Sequence, residues 1–178
     1  MKNLFLIVLC VVFVGCSSKE LDREKAFELI QKEKKYPKIY DEDIYAGDPA
    51  HARKIMATNL EKNGYITLNR KLTLIDDRPI IVFTEKSKPF LLETSAKDRE
   101  HQVQRVKIAD IVLGEVTGIK MLNENKSAIA EYTIQYKNIT PFVEFIRGKL
   151  DQTDTVKAYF SLFDDGWRIE KKPGLEFM

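Results

Sequence analysis

The chain reads as an α+β protein: two N-terminal helices with a β-hairpin, then a mostly antiparallel sheet holding one short helix. Three observations predict this. Apolar residues recur on one helical face within 21–34 and 49–63, and Asp76-Asp77-Arg78-Pro79 separates two apolar runs as a hairpin turn would. Further on, Ala128, Ala130, Tyr132, Ile134 and Tyr136 alternate with polar residues as on one side of a strand.

Taken in order, Leu21, Ala26, Phe27, Leu29 and Ile30 fall near one side of a helix over 21–34, with Lys, Arg and Glu elsewhere. Tyr36-Pro37 ends it, because the residue before a proline is pushed out of the helical region. A second helix is predicted over 49–63: Asp48 caps it, Pro49 suits its first turn, Ile55, Met56 and Leu60 share a face, and Gly64 after Asn63 stops it. Tyr65, Ile66, Leu68, Leu72 and Leu74 then run as a strand, and Ile80-Ile81-Val82-Phe83 returns beside it. Residues 85–89 read as a polar linker and Phe90-Leu91-Leu92 as a short strand. The charged stretch 93–102 lacks apolar periodicity and marks the best boundary between a helical, hairpin-bearing segment (20–95) and a β-rich one (103–178).

Residues 103–113 form a long strand whose apolar face changes parity around Ala109-Asp110, as a bulge would make it, and Gly114 and Gly118 are placed to bend the chain beyond it. Asn123-Glu124-Asn125 turns the chain into the strand that carries Tyr132. Thr140-Pro141 opens a short helix with Phe142, Phe145 and Ile146, stopped by Gly148. Val156, Ala158, Phe160 and Leu162 alternate as a strand, and Asp164-Asp165-Gly166 returns it through Trp167 and Ile169. Trp167 is expected in the core, against the even-numbered face of that strand.

The 178 residues carry 29 Lys and Arg against 27 Asp and Glu with the signs interspersed, which is no nucleic-acid footprint. The start of the chain is more specific. Lys2 precedes an almost purely aliphatic and aromatic run over 4–14, and Gly15 supplies a small residue at a cut, the pattern of a secretory signal. The apolar run falls well short of the roughly 20 residues a spanning helix needs, so it suits removal. Phe13-Val14-Gly15-Cys16 resembles the lipobox of bacterial prolipoproteins; Val14, Gly15 and Cys16 fit its pattern, and Phe13 stands where the family most often has Leu.

That resemblance implies a signal peptide over 1–15, cleavage before Cys16, diacylation of the Cys16 thiol, frequent acylation of the new amino group, and a short tether over 16–19. Each buried methylene contributes roughly 0.8 kcal/mol, so two or three chains would hold the protein at a membrane through Cys16 alone. Ser17, where inner-membrane retention in many enteric-type bacteria is marked by Asp, resembles an outer-membrane sorting signal. An ordinary signal peptide with a free Cys16, or an uncleaved anchor, is the alternative. Cys10 would leave with the leader, so the mature domain has no disulfide and depends on its own core.

Candidate chemistry is sparse. His51 and His101 lack metal-ligand spacing, and are expected exposed in the first turn of the second helix and in the charged connection respectively. No phosphate loop or nucleophile elbow occurs. The paired carboxylates Asp76-Asp77 and Asp164-Asp165 sit where hairpins need turn residues, and Asp41-Glu42-Asp43 has no following run of oxygen ligands for calcium. Helix 49–63 with its hairpin resembles the last helix and wing of a winged-helix domain, with Arg53, Lys54, Arg70 and Lys71 as available phosphate contacts, but a lipid anchor excludes DNA as a sensible partner. The second half also resembles cystatin-like and nuclear-transport-factor-like cones, from which no site carries over. Tyr159 and Phe163 fall on the opposite parity from Phe160, which leaves room for an aromatic binding face.

The expectation is therefore a non-enzymatic lipoprotein of the bacterial envelope, in the outer membrane and facing periplasm or exterior, needing neither cofactor nor metal. It would act as a binding, inhibitor or assembly-accessory module with an envelope protein partner. The alternative is a hydrolase or small-ligand binder using a cleft between the two segments. A deep pocket with convergent polar groups would favour the alternative, and a flat aromatic patch a protein partner.

Overall fold

The computed structural model describes residues 20–71, 78–146, 150 and 153–177; Cys16 and its lipobox, Leu72 and Leu74 of the expected strand, Asp76-Asp77 and Gly148 lie outside them. The fold is α+β. Helix α1 (Arg23–Glu33) begins where Asp22 accepts the Lys25 N–H at 2.7 Å, and buries Ala26 and Ile30. Lys35 takes a left-handed conformation, φ 54°, and Tyr36-Pro37 follows as a cis peptide.

The chain then enters strand β1 (Lys38–Tyr45), where the sequence shows only an acidic cluster. Only Ile44 of this strand is fully buried, so no alternation marks it. Its acidic residues serve pairing: Asp41 and Asp43 each stand 3.0 Å from Arg105 Nε on the neighbouring strand. Helix α2 (Pro49–Met56) is capped by Asp48 but ends well before Gly64. The Thr58 hydroxyl donates to the Ile55 carbonyl at 2.7 Å and accepts the Leu60 N–H at 3.2 Å, drawing backbone groups away from the helical ladder. The Asn59 N–H donates to Glu144 at 2.6 Å. Met56, expected on the apolar face with Ile55 and Leu60, is 61% exposed, while those two are buried.

Strands β2 (Ile66–Leu68) and β3 (Ile81–Phe83) form the expected antiparallel hairpin, each only three residues long. The linker after it is a 3₁₀ turn, Glu85–Phe90, and Leu91 makes a single antiparallel bridge to Val106. Within the charged connection lies helix α3 (Ala96–Glu100), closed by a capping box in which Ser95 and Asp98 satisfy each other's backbone N–H. It buries no residue, so apolar periodicity could not reveal it.

Strand β4 (Val103–Leu122) continues through both glycines as one long strand. With β1, β5 (Ser127–Lys137), β6 (Thr153–Phe163) and β7 (Gly166–Ile169) it forms an antiparallel sheet of order β1-β4-β5-β6-β7. The expected bulge is at Ile108: the register passes from Asp41↔Lys107 to Tyr40↔Ala109, and Ile108 and Ala109 are both fully buried. A second irregularity lies between Leu113 and Val116. There a Cβ on Gly114 would come within 2.1 Å of Thr133 Oγ1 and 3.0 Å of Thr133 O, and that hydroxyl accepts the Glu115 N–H at 3.0 Å. Gly114→Ala is therefore expected to cost about 1–3 kcal/mol through overpacking. Wild-type thermal stability of that variant would show that the strands do not approach so closely.

Two apolar clusters result, and β4 runs through both. Ala26 and Ile30 of α1 pack with Val116, with Ala128, Ala130 and Tyr132 of β5, with Phe160 of β6 and with Trp167 of β7. Ile44, Ile55, Leu60, Ile66, Ile81, Val106 and Ile108 form the other, filled by Phe142 and Phe145 from the 3₁₀ turn Pro141–Phe145. The Thr140 hydroxyl anchors that turn, donating to Lys107 O at 2.5 Å and accepting the Phe142 N–H at 3.2 Å. Because α1 and α2 lie in different clusters with β1 between them in sequence, α2 and the hairpin do not share a helical core with α1 as in a winged helix.

Candidate binding cleft

Three segments far apart in sequence meet beside the second cluster: the corner after β1, strand β3, and the corner from α3 into β4. Ala46 joins them. Its N–H donates to Gln102 O at 2.8 Å and its carbonyl accepts the Ile81 N–H at 2.9 Å. Gln102 adopts φ 55° to make the corner, and its Oε1 occupies space that a Cβ on Gly47 would enter at 2.7 Å. Between these segments opens a cleft of about 340 Å³, lined by Ala46, Pro79, Ile81, Val82, Phe83, Leu91 and Val103, with Arg99, Gln102 and Gln104 as its polar groups. Its size falls within the roughly 300–1,000 Å³ of small-ligand sites.

Gln104 is held in place, its amide donating to Leu92 O at 2.9 Å and Arg105 O at 2.8 Å. Arg99 donates one guanidinium N–H to Thr94 O, and no carboxylate among the described residues pairs with it. The cleft thus offers an apolar body and one cation. Its described lining contains no hydroxyl, thiol, imidazole or carboxylate. No family model, curated protein or solved structure matches the chain.

The histidines and carboxylates singled out from sequence lie elsewhere and, among the described residues, do not converge. His51 is half-buried rather than exposed: its Nδ1 accepts the Tyr45 N–H at 3.1 Å, and its ring sits 5.1 Å from Tyr45 and 5.3 Å from Phe145. The reason is that Tyr45 belongs to an edge strand, whose outward N–H needs an acceptor. His101 is exposed at the end of α3, with Nδ1 2.8 Å from Lys97 O. Among the described residues no cluster of His, Cys, Asp or Glu could hold a metal ion. Asp164 and Asp165 lie in the β6–β7 turn, where Asp165 pairs with Arg168 and Gly166 takes φ 124°.

Of the basic residues, Arg70 and Lys71 line a surface pocket with Arg78, away from Lys54. The Lys54 ammonium sits 3.8 Å over the Phe145 ring, while Arg70 pairs with Glu61 at 2.6 Å and holds that carboxyl below its ordinary range. Of the C-terminal aromatics, Tyr132, Phe142, Phe145, Phe160 and Trp167 are buried, and Phe177 packs edge-on against Tyr159 at 5.2 Å. Phe163 is the exposed one, with the Arg168 guanidinium 4.9 Å above it, so the expected aromatic face reduces to a single ring.

A tyrosine group crosses the first cluster. Burial drives the Tyr132 phenol far above its ordinary range, helped by the Tyr36 hydroxyl 3.5 Å away. Tyr136 is pushed up to about 12, by burial first and then by its 3.1 Å bond to Asp154. Both stay neutral at ordinary pH and serve packing. A cleft between the two segments is the alternative expectation, but its lining is not legible, because its walls come from residues 46, 79–83, 91 and 99–104, whose identities carry no binding motif. The Ser95 capping box was the one local signal near it.

Proposed function

We propose that this chain is a lipoprotein of a bacterial envelope, anchored through acylated Cys16 and sorted to the outer membrane, whose domain binds a ligand in the cleft without converting it. The observation that carries the reading is Phe13-Val14-Gly15-Cys16 directly ahead of the fold. Leu21 is already buried at 5% exposure, and 17–21 can span at most about 18 Å at roughly 3.6 Å per residue. An acyl group on Cys16 would therefore keep the start of α1 close to the lipid surface. Among the described residues no helix is long and apolar enough to cross a membrane.

The cleft supports the ligand-binding form of this reading over an aromatic docking patch. The competing hydrolase reading finds no nucleophile or general base in the described lining. Cys16→Ser is expected to leave an unprocessed precursor and abolish incorporation of a fatty-acid analogue in a bacterial host. Persistent labelling of that variant would overturn the anchor.

A further inference from the structure

The ligand class follows from the backbone at the walls of the cleft. In the β2–β3 hairpin the Asn69 N–H donates to Ile80 O at 2.8 Å and the Thr84 N–H to Tyr65 O at 3.0 Å. Antiparallel pairing alternates, so the backbone groups of Ile81 and Phe83 point away from β2. The Ile81 N–H is taken by Ala46. The Ile81 carbonyl and the Phe83 N–H have no partner among the described residues, and both residues line the cleft.

The opposite wall is the start of β4, whose side turned away from β1 is met by the segment around Leu91 and Leu92. Ala46 bonds Gln102 across the β1–β4 pair, so Val103, one residue on, turns its backbone groups away from β1, as the Leu92 N–H bonding Arg105 O at 2.9 Å shows for the residue two further along. At one end of the cleft Ala46 joins the two walls, through its N–H to Gln102 and its carbonyl to Ile81. Half-buried backbone donors and acceptors need partners. A further strand supplies them, and Arg99 adds a cation on the same cleft.

We propose that the cleft takes an extended apolar peptide that adds along the outer edge of β3 and ends in a free carboxylate held by Arg99. This rests on the cleft being the ligand site. Main-chain bonds to Ile81 and Phe83 would give affinity independent of sequence, Leu91 and Val103 would favour apolar side chains, and the guanidinium would select a chain terminus.

The test uses the soluble mature chain labelled with ¹⁵N and three probes: acetyl-Val-Thr-Val-Thr-Val with a free carboxylate, the same peptide as its C-terminal amide, and octanoate. The acid peptide should bind and slow hydrogen exchange at the Phe83 amide. The amide should bind about tenfold more weakly, as loss of a charge-assisted bond implies, and Arg99→Gln should erase that difference. Equal binding of acid and amide by wild type, or binding that leaves the Phe83 amide unprotected, would overturn the proposal. Binding of octanoate alone would overturn strand addition while keeping the cleft as a ligand site. Binding of none would overturn both, leaving the Cys16 anchor to its own labelling test.

Discussion

Phe142→Ala is expected to destabilise the protein by about 3–5 kcal/mol, a large share of the roughly 5–15 kcal/mol that holds a domain folded. Phe142 is fully buried, and its ring centre lies 6.4 Å from Tyr65, 6.1 Å from Phe83 and 6.3 Å from Phe90. Truncation would remove the apolar surface and three aromatic pairs together, each pair contributing about 0.5–1.5 kcal/mol beyond its area. Because Phe83 also walls the cleft, the loss would loosen the candidate site. Urea unfolding followed by circular dichroism measures the change, and Phe142→Leu should recover most of it. A Phe142→Ala midpoint close to wild type would show that the second cluster does not depend on this ring.

Trp167→Ala should cost a similar amount in the first cluster. Trp167 stands opposite Leu162 at the start of β7, is 7% exposed, and belongs to the same cluster as Ala26 and Ile30 of α1, Ala158 and Phe160. It is the chain's single tryptophan, so its fluorescence in wild type reports this cluster directly. Emission should shift to the red on unfolding, and Trp167→Phe should keep most of the stability that Trp167→Ala loses. If Trp167→Ala melts like wild type, the ring is not a core residue and the β6–β7 hairpin becomes the surface to search for a partner.

The elements legible beforehand share one property: their burial pattern is periodic along their own residues. Strand β5 buries Ala128, Ala130, Tyr132 and Ile134 in strict alternation, β6 and β7 meet at an Asp-Asp-Gly turn, and α1 carries its own cap. Where the pattern depends on a distant partner, sequence reasoning failed. Strand β1 looks like a solvated acidic run until Arg105 is placed beside Asp41 and Asp43. Helix α2 looks longer than it is because its end depends on Thr58 and on Glu144, a residue far along the chain. His51 looks exposed until the edge of β1 presents the Tyr45 N–H to it.

Read alone, the residues already carried the α+β class, the bulge near Ala109, the turns at Asn123-Glu124-Asn125 and Asp164-Asp165-Gly166 and the core position of Trp167, and they alone speak for Cys16. Each of these follows from periodicity, turn chemistry or a contiguous motif, which short-range sterics and solvation write into neighbouring residues. The folded chain was needed to show that β1 forms an edge of the sheet, that β4 runs through two clusters, and that residues 46, 79–83 and 99–104 surround a cleft with Arg99 on it. A backbone N–H facing outward from a strand edge has no signature in the identity of its residue. Whether Phe83 presents one depends on how Asn69, Thr84 and Ala46 have already been paired.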